Sequence, residues 1–167
     1  MYDKITLKDV KRMEEEIEHR KLVVRKEALE DVKIARAHGD LSENFEYKAA
    51  KQYKNQNESR IRYLERMIKT AQIIPEDSQD DEVGLNDKIT IYTPEDDNEE
   101  VLKIVTTVRA NPLKGRVSID SPLGKALLHH HVSDQVSVQS NDNYTYDVII
   151  RKIEKLEDTG EDELSKY

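Results

Sequence analysis

The chain lacks cysteine altogether, and it contains no apolar run approaching the length of a membrane-spanning helix. Without cysteine it has no disulfides, no thiolate-bound zinc and no cysteine nucleophile, which suits a reducing compartment. A spanning helix needs about 20 consecutive apolar residues. Residues 1–8 show no signal-peptide pattern. We therefore expect a soluble, cytoplasmic protein.

Apolar residues are also scarce, making up 36% of the 167 residues against 37% that are charged. This composition is lean for a single compact core and favours two small or elongated units. The net charge of −8 is unlike that of proteins that follow a phosphate backbone with a basic face. Acidic residues concentrate at positions 76–82, at 95–100 and from 157 onward. Any contact with nucleic acid is therefore expected to be local.

Neither proline nor glycine interrupts residues 6–38. Apolar residues recur there at intervals of three, four or seven, namely Val10, Met13, Ile17, Val24, Ala28, Val32 and Ala35. This spacing predicts one long helix with a narrow apolar seam. About 33 residues at 1.5 Å each would span roughly 50 Å. Gly39 then ends the helix, because glycine readily adopts the left-handed conformation found at helix ends.

A second stretch without proline or glycine runs from about residue 43 to residue 74. The apolar side predicted for it comprises Phe45, Ala49, Tyr53, Tyr63, Leu64, Met67 and Ala71. Asp40 or Ser42 could cap the start of this helix. With only about four residues between them, the two helices should fold back as an antiparallel coiled-coil hairpin over residues 1–75. The polar residues 55–57 lie where the seam is expected and suggest looser packing.

The pattern changes after Pro75, which ends the second helix. Residues 76–84 have the composition of a solvated linker. Runs rich in β-branched residues then follow at positions 88–92, 101–108, 116–120, 135–139 and 144–153. Between the third and fourth runs, Ser121 and Pro122 mark the start of a short helix. The sequence predicts an α+β fold, in which a small antiparallel sheet with one short helix occupies residues 85–156. Residues 157–167 are expected to form a disordered acidic tail.

Two carboxylates flank the predicted turn between the helices. Asp40 and Glu43 are three residues apart, so both can point off the same end of the hairpin. Paired carboxylates suit Mg²⁺, which prefers oxygen ligands, but two acids cannot enclose the ion alone. Any such chemistry would need a partner that supplies the metal and the substrate. On spacing alone, the simpler interpretation is favoured, with Asp40 as a helix cap and Glu43 as a first-turn acid.

Other residues near the turn also have two interpretations. Arg36 and Lys51 lie about equally far from it on opposing helices, where they could hold a phosphodiester backbone or remain solvated charges. Phe45 and Tyr47 could stack on a base or pack between the helix ends, and packing is favoured for Phe45.

Three consecutive histidines, His129, His130 and His131, raise the possibility of a zinc site. Adjacent residues on a helix point about 100° apart, so three in a row cannot easily share one metal ion. The favoured interpretation places them at the end of the short helix, where a protonated histidine suits the helix dipole.

Residues 35–50 read Ala-Arg-Ala-His-Gly-Asp-Leu-Ser-Glu-Asn-Phe-Glu-Tyr-Lys-Ala-Ala. This stretch closely resembles the tip motif of the bacterial transcript cleavage factors, the Gre family. Segments similar to the family also occur at residues 6–7, 24–25, 71–74, 115–118 and 121–128. The resemblance covers nearly the whole chain and its tip motif is highly specific. It reverses the preference for the simpler interpretation of the two acids.

The resemblance implies an N-terminal coiled coil, an FKBP-like C-terminal domain that docks on RNA polymerase, and a tip that enters the secondary channel. There the polymerase, not this accessory factor, would cleave backtracked RNA near its 3′ end and so release arrested complexes. Asp40 and Glu43 would share Mg²⁺ supplied in the polymerase active site. Ser42, Asn44 and Tyr47 would support the tip, and Arg36 and Lys51 would contact RNA. Lys51 stands where related factors often have arginine, which keeps the charge but loses the bidentate fork.

Departures from the family pattern cluster in the C-terminal domain, at residues 106–111 and 129–133. They put the docking surface in question and leave open a Gre paralogue that occupies the channel and regulates or inhibits transcription without promoting cleavage. A third alternative is a prolyl isomerase built on the C-terminal fold. Isomerase pockets of that fold are rich in aromatic residues, whereas this domain offers Tyr92, Tyr144 and Tyr146.

Overall fold

A computed structural model describes residues 3–39, 44–141, 143–160 and 162–166. The chain divides into two compact units, one of residues 8–71 and the other of residues 3–7 and 72–166. The first is helical and the second is built on a β-sheet. No helix among the described residues is long and apolar enough to cross a membrane.

The helical unit is the hairpin that the sequence predicts. Its first arm contains α1 (Leu7–His19), a π-helical turn (Arg20–Val24) and α2 (Arg25–Arg36), and its second arm is α3 (Phe45–Thr70). Gly39 has φ of 120°, a conformation that glycine adopts without strain, and it follows the turn that ends α2. Helix α3 stops at Thr70, four residues before the predicted end, because the chain then enters a short strand.

The seam of the first arm lies where the spacing predicts it, with Met13, Ala28 and Ala35 buried. The seam of α3 is predicted correctly only in its second half, where Leu64 is buried along with Ile61. In the first half, Phe45 is 79% exposed and Tyr53 is 46% exposed. The half-buried residues there are instead Tyr47, Ala50 and Lys54.

A hydrogen-bonded polar layer crosses the middle of the hairpin, where the sequence suggests loose packing. Asn57 is 2% exposed, and its Oδ1 accepts a hydrogen bond from Arg20 Nη1 at 3.0 Å. Its Nδ2 donates to the Arg20 carbonyl, which also accepts the N–H of Arg25 five residues on in the π-helical turn. Glu16 Oε2 accepts from Arg20 Nε at 2.7 Å and from Arg60 Nε at 2.8 Å. Asn57, which lies where the sequence suggests loose packing, is therefore hydrogen-bonded through both its amide oxygen and its amide nitrogen.

The second unit contains two sheets. Strands β1 (Lys4–Ile5) and β2 (Gln72–Ile73) form a short parallel pair. Strands β3 (Lys88–Thr93), β4 (Asn98–Val105), β5 (Arg116–Ser118), β6 (Gln135–Asn141) and β7 (Tyr144–Glu154) form a sheet in the order β5-β4-β3-β7-β6. Its pairs are antiparallel except β4 with β5, which run parallel with Lys103 opposite Arg116. That parallel pair differs from the predicted all-antiparallel sheet.

The core of this unit lies on one face of the five-stranded sheet, under the short helix α4 (Pro122–Leu127). Its buried residues are Val83, Ile89, Ile91, Leu102, Ile104, Ile119, Leu127, Val136, Val138, Val148 and Ile150. Alternate residues of each strand point to this face, as the period of two requires. Ser121 caps α4 as predicted, because its Oγ accepts the N–H of Gly124 at 3.1 Å.

The segments predicted as a solvated linker and as a disordered tail make specific contacts in this unit. Val83, in the predicted linker, is buried, and its backbone pairs with those of His129 and His130. In the predicted disordered tail, Asp158 forms an ion pair of 2.7 Å with Arg109, and both side chains are almost fully buried. The tail therefore differs from the prediction, because its carboxylates meet cations on the sheet domain that the sequence does not place beside it.

Candidate functional site at the hairpin end

The hairpin end carries the residues that the sequence singles out, but the tip itself lies outside the described residues. Asp40, Ser42 and Glu43 are therefore not among the residues that the structure describes. The structure describes both flanks, residues 36–39 and 44–51. The geometry of the candidate site therefore comes from the residues that bracket the two acids.

Asn44 connects the two arms at the base of the tip. Its Oδ1 accepts the backbone N–H of Tyr47 at 2.9 Å, so Asn44 is the N-cap of α3. Its Nδ2 donates to the Ala35 carbonyl at 2.8 Å, which satisfies one of the last acceptors of α2. The predicted caps, Asp40 and Ser42, lie outside the described residues, and the N-cap that the structure shows is Asn44. One amide side chain thus holds the end of one helix to the start of the other.

Arg36 and Tyr47, both predicted site residues, are in contact across the two arms. The Arg36 guanidinium carbon lies 5.6 Å from the centroid of the Tyr47 ring. A hydrogen bond from Arg36 lowers the pKa of the Tyr47 phenol, and the positive charges of Arg36, Lys51 and Lys54 lower it further. Lys51 therefore acts on the same phenol as Arg36. We call the three basic residues whose charges act on the Tyr47 phenol, Arg36, Lys51 and Lys54, the cationic base of the tip.

Phe45 is not packed between the helices, which corrects the expectation from the sequence. Its side chain is 79% exposed, and Lys48 Nζ lies 5.7 Å from its ring centroid. An exposed aromatic ring at a projecting end can stack on a planar partner such as a base. Phe45 is thus a candidate contact residue whose role the sequence pattern misassigned.

A groove of about 410 Å³ runs along the hairpin below the tip. Its walls are formed by Asp31, Ile34, Ala35, Glu46, Ala49, Ala50 and Tyr53. The small alanines leave space that Tyr53 borders without filling. Ala49 and Tyr53 line this open region and are exposed, so neither belongs to the buried seam.

The histidine run follows α4 and contacts acids on the neighbouring segment. His129 Nδ1 lies 3.2 Å from Glu82 Oε1, and His131 Nδ1 lies 3.7 Å from Asp134 Oδ2. Among the described residues, no group of three or more histidine or acidic side chains could hold a metal ion. The histidines therefore contribute to the contact between residues 82–83 and the end of α4.

Comparison with known families shows which family this chain belongs to. A family model described as the N-terminal part of transcription elongation factors matches residues 4–73. A second model, for the C-terminal part of the transcription elongation factors GreA/GreB, matches residues 78–155. The chain belongs to the GreA/GreB family. Residues 74–77, between β2 and β3, separate the two matched regions.

GreA/GreB relatives are similar to this chain over most of its length. A transcription elongation factor GreA from Geobacillus kaustophilus is 45% identical over 137 residues, which is 81% of this chain and 87% of the relative. The GreA of Bacillus subtilis is 42% identical over 136 residues, 81% of this chain and 87% of its own. That of Streptococcus pneumoniae is 41% identical over 152 residues, 90% of this chain and 94% of its own.

Solved structures of related factors also match. A structure of the transcription factor Gfh1 is 26% identical and covers 92% of this chain and 97% of its own, with a TM-score of 0.45. The Gfh1 protein of Thermus thermophilus is 26% identical and covers 93% of this chain and all of its own, with a TM-score of 0.42. The assignment to the GreA/GreB family depends on the sequence matches.

Proposed function

We propose that this GreA/GreB-family chain is a transcription elongation factor that binds RNA polymerase through its secondary channel and stimulates the polymerase's own cleavage of backtracked RNA. The observation that carries the proposal is the motif of residues 35–50 at the end of a helical hairpin, within a family match that covers both units. A long, narrow hairpin is suited to reach into a channel of a much larger partner. The hydrolysis would be the polymerase's, and this chain would act as an accessory factor.

The two tip acids are assigned the central role. Asp40 and Glu43 offer carboxylate oxygens, the donor type that Mg²⁺ prefers, and two such groups leave most of its six positions to other ligands. We infer that RNA polymerase and its RNA supply those ligands. Mg²⁺ held in this way would lower the pKa of a bound water and neutralise charge on the phosphodiester. The contribution of this chain is to place two carboxylates at that point.

The cationic base of the tip is assigned to the RNA. Arg36 and Lys51 lie on opposite arms around Tyr47, so they can approach one strand of phosphates from two sides. Phosphate contacts position a strand without reading its sequence. Exposed Phe45 is placed to stack on an unpaired base near the extruded 3′ end.

A transcript-cleavage assay on stalled elongation complexes tests the proposal. We expect the double substitution Asp40→Ala and Glu43→Ala to reduce stimulated cleavage by at least about a hundredfold, the range for loss of groups that act at the reacting centre. A pull-down with core polymerase should still capture the variant, because the docking domain is unchanged.

A matched control comes from the first arm of the hairpin. Glu27 and Glu30 are exposed acids of α2 that are also three residues apart. Glu27→Ala with Glu30→Ala should leave cleavage within about twofold of wild type, since exposed charges contribute little. Full cleavage by the tip variant would refute the proposal. Inhibited synthesis without RNA release by the wild-type chain would favour the regulatory paralogue.

A further inference from the structure

The acidic C-terminal segment lies beyond the region that the family model matches, which ends at residue 155. We call the described residues of this segment, 158–160 and 162–166, the strap. In the sheet unit, the strap contacts four cationic residues that we call the cationic edge: Lys103, Arg109, Lys114 and Arg116. Strand β5, which carries Arg116, is an edge strand of the five-stranded sheet.

Asp162 pairs with two cations at once. Its Oδ2 accepts a hydrogen bond from Lys103 Nζ at 2.6 Å, and its Oδ1 lies 3.1 Å from Arg116 Nε. Lys103 and Arg116 are opposite each other in the parallel β4–β5 pair, so the sheet itself fixes their spacing. The Asp162 side chain is only 7% exposed. The strap therefore places one carboxylate between two cations held by adjacent strands.

Three further contacts extend along the strap. Asp158 Oδ1 accepts from Arg109 Nη1 at 2.7 Å, and Glu163 lies 3.8 Å from Lys114 Nζ at an exposed position. The Ser165 hydroxyl donates to the Val108 carbonyl at 2.7 Å. Three acids of the strap, Asp158, Asp162 and Glu163, thus meet the four cations of the cationic edge. This is the charge complementarity expected between an acidic peptide and a basic surface.

We propose that the cationic edge is a docking surface for an acidic peptide segment of a partner protein, and that the strap is a competitor built into the chain. The strap shows which chemistry the edge binds, since it is itself such a peptide. Because it is tethered, its effective concentration at the edge is in the millimolar range, so a partner in solution must compete against it. The proposal is independent of the tip chemistry.

A peptide fits the edge better than a nucleic acid does. Strand pairing fixes the spacing of Lys103 and Arg116, and with the strap bound 24% of the Lys103 side chain and 18% of the Arg116 side chain stay exposed. Carboxylates on a peptide chain can meet such fixed positions one at a time. A phosphate backbone is a continuous polyanion and does not place single charges in this way.

The test uses a labelled peptide with the sequence of residues 157–167 and fluorescence anisotropy against the full chain. We expect weak binding to the wild type and at least about tenfold tighter binding to Asp158→Asn with Asp162→Asn, because the strap no longer competes as strongly. Binding should weaken as salt rises. Adding Arg116→Met to the double variant should abolish the gain, since the peptide loses a cation it needs.

Two further variants keep the test decisive. Asp162→Asn alone retains the buried Asp158–Arg109 pair, so it should fold and still show part of the gain even where the double variant unfolds. Glu157→Gln, at an exposed acid just before the strap, is the matched control and should bind like wild type. A folded Asp162→Asn variant with no gain would overturn the proposal. So would tighter binding of a short single-stranded RNA than of the peptide.

Discussion

At the scale of single residues, Asn44 does the most to define the hairpin end. One side chain caps α3 through Oδ1 and closes α2 through Nδ2. Asn44→Ala removes both bonds and should lower the free energy of unfolding by about 2 kcal/mol, about half from the cap and half from the amide donor. Asn44→Ser keeps a capping oxygen and should lose only about 1 kcal/mol. Urea unfolding followed by circular dichroism measures both, and equal losses would contradict the two-bond role.

The same residue shows why the cap was not predictable. Asp40, Ser42 and Asn44 are all favoured cap types and lie at alternate positions, so local preference does not choose among them. The choice of Asn44 as the cap depends on the Ala35 carbonyl, nine residues away. An amide side chain can donate to that carbonyl with its nitrogen while its oxygen caps the helix. Sequence does identify Gly39 as the break, because its conformational requirement is local.

At the scale of whole elements, the polar layer explains both a success and a failure of the sequence pattern. Stepping back from Ile61 by three or four residues reaches Asn57, Lys54, Ala50 and Tyr47, which is the observed seam. A choice by hydrophobicity alone selects Phe45 and Tyr53 instead, which lie on a different side of the helix from the observed seam. The first arm is predicted correctly at Met13, Ala28 and Ala35, which are apolar and buried, whereas the buried Asp9 escapes the same pattern. The predicted seam of α3 is wrong where the buried residue is the polar Asn57.

The polar layer also predicts how the hairpin responds to acid. Burial opposes ionisation of Glu16, but hydrogen bonds from Arg60 and Arg20 outweigh burial and lower its pKa below the ordinary value of 4.5. A lowered pKa in the folded state means that the stabilisation is present above about pH 4.5 and is lost as the pH falls through the lower folded value. Unfolding should therefore become easier below that range.

Glu16→Gln tests this element. At pH 7 it should cost about 2 kcal/mol, because two arginines lose a charged acceptor, and it should remove part of the acid sensitivity. Urea unfolding between pH 7 and pH 3 measures both effects. Glu18→Gln, at an exposed position one residue from Ile17, is the control and should reproduce the wild-type profile. A Glu16→Gln curve parallel to wild type at every pH would disprove the charge-based role.

At the scale of the whole molecule, sequence predicted the order of the units and their family but not what the ends of the chain contact. The loop at residues 106–111 and the tail after residue 156 stand out separately in the sequence. In the structure, Arg109 of that loop pairs with Asp158 of that tail, 49 residues later. Among 27 basic and 35 acidic residues, no pattern singles out one such pair. Periodicity predicts elements, whereas long-range charge pairing requires coordinates.

The two tip acids lead to a prediction about how the whole chain binds Mg²⁺ without its partner. Among the described residues no cluster of three or more ligands is present, and Asp40 with Glu43 adds two oxygen-donor side chains. Two carboxylates leave most of the octahedral positions of Mg²⁺ to water, so the isolated chain should bind it only weakly. Titration calorimetry with MgCl₂ should give the same weak signal for wild type and for Asp40→Ala with Glu43→Ala. Tight binding that the double variant loses would mean that this chain builds a complete site by itself, and the division of the metal site between two proteins would have to be abandoned.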